Sequence, residues 1–140
     1  MVRSTISWTS ENGEMIHVIK YATSINGLNW DRHGIAIPYE IGIAQAFSRP
    51  TVIVNKDGYH MWYSYRSGVK NEKYKIGYSF STDGLVWERR HNDCLLEKSQ
   101  NGWDSEMVCY PCVFEHNSNI YMLYNGNEFG KSGIGIAILQ

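Results

Sequence analysis

The chain repeats itself, and this constrains its fold more than any other feature. Tyr21-Ala-Thr-Ser-Ile-Asn-Gly-Leu-Asn-Trp30 returns as Tyr78-Ser-Phe-Ser-Thr-Asp-Gly-Leu-Val-Trp87, an offset of 57 from position 21 to position 78. Ser24/Ser81, Gly27/Gly84, Leu28/Leu85 and Trp30/Trp87 keep that offset, and Ile19 matches Ile76 upstream. A second shared segment interleaves with the first: Arg49-Pro-Thr-Val through Met-Trp-Tyr63 parallels Tyr110-Pro-Cys-Val through Met-Leu-Tyr124, with an offset of 61 from Pro50 to Pro111. The longer spacing falls in the linker Asn92 to Trp103. A third, partial copy is Gly133-Ile-Gly-Ile-Ala137, where Ile134 lies 58 residues after Ile76. Self-similarity at a fixed period is the mark of an array of supersecondary units.

Each unit reads as four short strands. Phe47–Val54 and Tyr59–Tyr65 flank Asp57-Gly58, a hairpin signal because both turn positions tolerate φ > 0. Lys73–Ser81 and Leu85–Arg89 flank Asp83-Gly84, and Asn26-Gly27 marks the same turn in the earlier copy. Apolar and polar residues alternate in Tyr59-His-Met-Trp-Tyr-Ser-Tyr65 and Tyr74-Lys-Ile-Gly-Tyr-Ser-Phe80, as strands require. Aromatics at 14% and thirteen glycines fit an all-β chain. Four antiparallel strands recurring at this interval describe a β-propeller blade.

Counted in order, the N-terminus offers a second, third and fourth strand (Thr5–Thr9, Met15–Ser24, Leu28–His33). One complete blade follows, and the C-terminus adds a first, second and third strand (Glu106–Glu115, Ile120–Asn125, Gly133–Leu139). The expectation is a partial blade over 1–40, a full blade over 41–91 and a partial blade over 92–140, about two and a half blades in one domain. A closed ring usually has four to eight, and open sheet edges invite association. A homo-oligomer, a dimer or trimer completing the ring head to tail, is therefore expected, with a fragment of a longer protein as the alternative.

The remaining composition mostly excludes. Thirteen Lys+Arg against fourteen Asp+Glu give a net charge of −1, with no surplus to hold a phosphate backbone, so no nucleic-acid partner is expected. No apolar run approaches the roughly 18 residues of a membrane span, and Met1–Ser10 lacks the apolar stretch of a secretory leader. No membrane partner and a cytoplasmic location are the expectations. Cys109-Tyr-Pro-Cys112 has CxxC spacing but sits in a β-like run with no second ligand pair, so Cys94, Cys109 and Cys112 read as ordinary strand cysteines. The five histidines have no ligand spacing; neither metal nor cofactor is expected.

The hairpins "YATSINGLNW" and "YSFSTDGLVW", with "RPTVIVNKDGYHMWYSYR" and "YPCVFEHNSNIYMLYNGN", resemble the five-bladed propellers of glycoside hydrolases: arabinanases, xylosidases, fructosidases and the mannoside phosphorylases. The Ser-x-Asn/Asp-Gly-x-x-Trp turns also look like the Asp-box turns of sialidase propellers. The resemblance implies a carbohydrate ligand and carboxylates on the innermost strands, converging on the ring axis. Hydrolysis needs one protonated acid and one ionised base or nucleophile across the glycosidic bond. Where fructosidases carry Arg-Asp-Pro and Glu-Cys-Pro, this chain has Ser48-Arg49-Pro50 and Cys109-Tyr110-Pro111, so neither carboxylate stands where that pattern puts it.

The carboxylates nearest an innermost strand are Asp104 and Glu106, the candidate base and general acid. Read as one strand, residues 104 and 106 would point to the same face. Glu106 aligns with Gln45 at the 61-residue offset, which makes Gln45 a candidate on the same wall. Arg49 reads either as a guanidinium fork for a carboxylate, phosphate or sugar hydroxyls or as the partner of Glu106 or Asp104. Tyr110 is its counterpart at the second proline. Arg66 and Asn125 close comparable strands and are expected at the same mouth. Trp103 has no aromatic counterpart at Gly42 and is the candidate for stacking on a sugar face, whereas Trp30 and Trp87 read as packing between blades. Two functions stay open: a glycosidase-like enzyme, or a non-catalytic carbohydrate-binding or assembly module on the same fold.

Overall fold

A computed structural model describes residues 2–10 and 12–139. The chain is built almost wholly of antiparallel strands. β1 (Val2–Thr9), β2 (Met15–Thr23) and β3 (Asp31–Ile35) form a first unit in which β2 pairs both neighbours. β4 (Ala46–Asn55), β5 (Gly58–Arg66), β6 (Lys75–Ser81) and β7 (Glu88–Arg89) form a complete four-stranded meander. β8 (Cys109–His116), β9 (Asn119–Asn125) and β10 (Ile134–Leu139) make a separate three-stranded sheet in the order β10-β9-β8. A single parallel bridge, His17 to Ala46, links the first two units.

The repeat is preserved down to individual hydrogen bonds. Asn26 Oδ1 accepts from the backbone N–H of Leu28 and Asn29, at 2.9 and 3.0 Å. Asp83 Oδ1 accepts from Leu85 and Val86 at 2.8 and 2.9 Å. The Ser24 and Ser81 hydroxyls accept from Gly27 and Gly84, both glycines at positive φ. The Trp30 and Trp87 indoles each donate to the turn glycine carbonyl at 3.1 Å. These bonds shorten the expected outer strands. Leu28 and Leu85 spend their N–H groups on the turn side chain, so pairing begins only at Asp31 and Glu88 rather than at residues 28 and 85. Trp87 is buried and joins the core, as expected of a packing residue, while Trp30 stays largely exposed.

Two clusters hold the units together. Ile19, Ile37, Phe47, Met61, Tyr63 and Trp87 fill the joint between the first and second units. Ile76, Val108 and Tyr124, flanked by Trp62, Met122 and Ala137, fill the joint between the second and third. Each joint buries one face of a sheet against the next, the arrangement a blade needs to take its apolar side chains out of water. Among the described residues nothing gives the third unit such cover on its far face. Register shows the contrast: Ile76 lies opposite Ser64 on β5, and Ile134 opposite Asn125, the equivalent site on β9. Ile76 is 4% exposed and Ile134 69%, with Ile136 at 61% and Ile138 at 53% beyond it.

His91 closes the bottom of the first cluster. Its Nε2 lies 2.9 Å from the Tyr63 hydroxyl, and its ring stacks on Tyr65 at 4.0 Å. Burial, with the charges of Arg89 and Lys75, pushes its pKa down to about 4. An unfolded chain takes up the proton near pH 6.5 and the folded one resists until about 4, so the unfolded state binds more protons across that window. The stabilisation is complete above pH 6.5 and drains away as the pH falls toward 4. Because the ring is partly exposed, we expect the loss to reach at most about 2 kcal/mol. Melting temperature measured from pH 7 to 4 should fall more steeply in the native protein than in His91→Asn.

Candidate functional site

The innermost strands of the second and third units, β4 and β8, run side by side. Thr51 Oγ1 accepts from the Val113 N–H at 3.3 Å. Each strand is broken at the same place by a bulge, between Ser48 and Thr51 in one and between Cys109 and Cys112 in the other. At each bulge the residue before proline sits at left-handed φ, +48° for Arg49 and +57° for Tyr110. Such a conformation costs a non-glycine residue of the order of 1 kcal/mol or more and persists where surrounding structure enforces it. The Tyr110 N–H donates to the buried Ser64 hydroxyl at 2.7 Å, which helps hold the second bulge in place.

Both bulged side chains open onto a groove of about 540 Å³ lined by Arg49, Pro50, Thr51, Tyr110, Pro111, Cys112, Asn125 and Phe129. The Arg49 guanidinium lies 4.5 Å over the Tyr110 ring. Phe129 stacks on the same ring with centroids 5.6 Å apart. Phe129 is itself at φ +60°, in the turn Asn127–Gly130, and Asn125 Nδ2 donates to its carbonyl at 2.8 Å. Burial raises the Tyr110 phenol above its ordinary value, so it enters the groove as a neutral hydroxyl. Cys109, behind the bulge, is buried, and its thiol is pushed up to about 11, which keeps it protonated. Among the described residues no cluster of three metal-ligating side chains forms.

Of the residues that sequence singled out, the groove gathers three: Arg49, Tyr110 and Asn125. The others lie elsewhere. β8 begins at Cys109, not at residue 106, because the Glu106 and Met107 N–H groups bind the Asn127 side chain at 2.8 and 3.0 Å instead of a neighbouring strand. Asp104 and Glu106 therefore do not share a strand face. Asp104 is buried at 4% exposure, where Oδ2 accepts from the Tyr124 hydroxyl at 3.1 Å and Oδ1 has no partner; Glu106 is exposed. Neither lines the groove, and neither pairs with Arg49.

Gln45 is fully buried and clamps the β1–β2 turn, taking up Ser10, Asn12 and the Glu14 carbonyl. Arg66 pairs with Glu14 at 2.9 Å. By register Arg66 corresponds to Asn127 and Asn125 to Ser64, so the two strand ends expected at one mouth are not equivalent. Trp103 stacks on Tyr124 at 5.6 Å, with Gly126, Gly133 and Gly135 pressed so close that a Cβ on any of them would crowd the indole. Its ring packs within the third unit and does not line the groove. Phe129 is the aromatic groove residue that sequence reading missed, and Thr51 and Cys112 join it in the lining. The available signal was an aromatic side chain in a Gly-Asn-Glu-Phe-Gly loop, where an apolar ring has no core to serve.

No protein-family profile matches the chain. It is 36% identical over 138 residues to two uncharacterized proteins of Mycobacterium tuberculosis, strains CDC 1551 / Oshkosh and ATCC 25618 / H37Rv. The match covers 98% of this chain and 45% of each relative, so the chain spans less than half of their length. Among solved structures it is similar to a family 117 glycoside hydrolase from Zobellia galactanivorans, with TM-score 0.73, 22% identity and coverage of 93% of this chain and 40% of that one. A thermostable family-43 glycoside hydrolase matches with TM-score 0.67 at 16% identity, covering 99% and 48%. The Bombyx mori GH32 beta-fructofuranosidase matches with TM-score 0.67 at 18% identity, covering 98% and 30%. Likeness at these identities is a likeness of fold.

Proposed function

The chain carries part of the five-bladed β-propeller fold of these glycoside hydrolases, and from that premise we propose that it binds a carbohydrate in the groove between β4 and β8. The concentration of strained backbone there carries the reading. Seven non-glycine residues among those described have left-handed φ, and Arg49, Tyr110 and Phe129 all line this one groove. Two of the three occupy repeat-equivalent positions, on the paired bulges of the innermost strands. Strain kept in two blades at the same place, with an aromatic plane and a cation as its product, suits a binding surface. Completion of the ring by further copies of the chain belongs to the same reading.

Glycoside hydrolysis with Glu106 as acid and Asp104 as base is the second reading. The hydrolase neighbours favour it, as does the buried Asp104 oxygen without a partner. One set of titrations separates the two. Tyr110→Ala and Phe129→Ala are expected to weaken glycan binding about tenfold each, since an aromatic platform contributes of the order of 1 kcal/mol. Glu106→Gln should leave binding as it was. Unchanged affinity in both aromatic variants would overturn the groove. Loss of turnover in Glu106→Gln would establish the hydrolytic reading.

A further inference from the structure

Charge at the groove narrows the ligand, on the premise that the groove is the binding site. Five ion pairs form among the described residues, and they use Arg66, Lys75, Arg89, Arg90 and Lys131. Arg49 is in none of them, although its guanidinium is held in place by stacking on Tyr110. No acidic residue lines the groove, so Arg49 gives it a formal charge of +1. The larger depression of about 680 Å³, formed by Ile43 and residues 88–93, is a useful contrast. There Arg89 and Arg90 are both neutralised, by Glu40 and Glu88. Among the described residues, only in the β4–β8 groove does an exposed cation stand over an aromatic plane without an ion-pair partner.

A guanidinium fixed on one face keeps its N–H edge for a planar or tetrahedral oxyanion, and charge-assisted bonds of that kind are the strong ones. The groups beside it carry no charge: Asn125 gives one of its two amide N–H groups to the Phe129 carbonyl, and Thr51 shares its hydroxyl with β8. We propose that the groove selects sugars bearing an oxyanion substituent, a ring carboxylate or a sulfate ester, with Arg49 as its receptor and the Tyr110–Phe129 pair under the ring.

Titration calorimetry of the whole chain with tri-galacturonate, galactose 6-sulfate and neutral galactotriose tests this. The expected result is at least about tenfold tighter binding of an acidic probe than of the neutral one, an advantage that shrinks on raising salt. Arg49→Met should abolish the advantage, bringing the acidic probes to the affinity of the neutral one, and Arg49→Lys should keep part of it. Preference for the uronate over the sulfate, or the reverse, identifies the anion. Equal affinity for neutral and acidic probes, or a preference for the acidic ones that survives in Arg49→Met, overturns the selectivity and leaves the groove standing. Binding of no probe overturns both. An unchanged melting temperature in Arg49→Met shows that the variant is folded.

Discussion

Phe47→Ala is expected to lower the stability of the chain by about 3–5 kcal/mol. The ring is wholly buried where the first unit meets the second, and it meets Tyr63 edge-on at 5.4 Å. Ile19, Met61 and Trp87 close round it. Strand β4 is tied to its neighbours by backbone bonds on both sides, so the sheet has little freedom to collapse into the space left behind. A domain of this size holds roughly 5–15 kcal/mol in total, so the variant should lose a large share of its stability. Urea unfolding followed by tryptophan fluorescence measures this. A shift under about 1 kcal/mol would mean that the two units are not held by this cluster.

Gln45→Leu should cost about 2–4 kcal/mol, although leucine fits the volume and is more apolar. The Gln45 amide is fully buried and takes part in every direction. Oε1 accepts from Asn12 Nδ2 at 2.8 Å, and Nε2 donates to Ser10 Oγ at 2.9 Å and to the Glu14 carbonyl at 3.2 Å. Gly68 leaves the room for this arrangement, since a Cβ there would lie 2.3 Å from Oε1. Leucine ends three hydrogen bonds at once, each worth about 0.5–1.5 kcal/mol, and leaves the half-buried Ser10 and Glu14 and the exposed Asn12 to bind water instead. Amide exchange should accelerate most at Ser10 and at Asn12–Glu14, the turn that Gln45 clamps. Exchange unchanged at that turn would show that the clamp is dispensable.

These two residues also show what could be read from the chain before its fold was known. Phe47 was read only as the start of the strand Phe47–Val54, while the repeat and the alternation located nearly every strand within a few residues. Where strand ends were misjudged, a side chain had taken over the backbone: Asn26 and Asp83 bind the next N–H groups, and Asn127 binds those of Glu106 and Met107. Local competition of this kind is invisible to periodicity. Gln45 and Glu106 share a repeat position but not an environment, because one meets the β1–β2 turn and the other the side chain of a loop. Arg49 and Tyr110 were legible because proline follows both. For Phe129 the residue types offered only a lone aromatic ring in a glycine-flanked loop, since its place in the groove depends on two consecutive left-handed residues, Glu128 and Phe129.

The exposed isoleucine row on β10 bears on what a further unit would gain by docking there. Stability in a stack of units is close to a sum of nearest-neighbour joints. Ile134, Ile136 and Ile138 stand where Ile76, Tyr78 and Phe80 stand one unit earlier, and Ile76 is already covered. A further unit docking on β10 would bury Ile134 as the third unit buries Ile76, and the joint so formed would add to the stability of both neighbours.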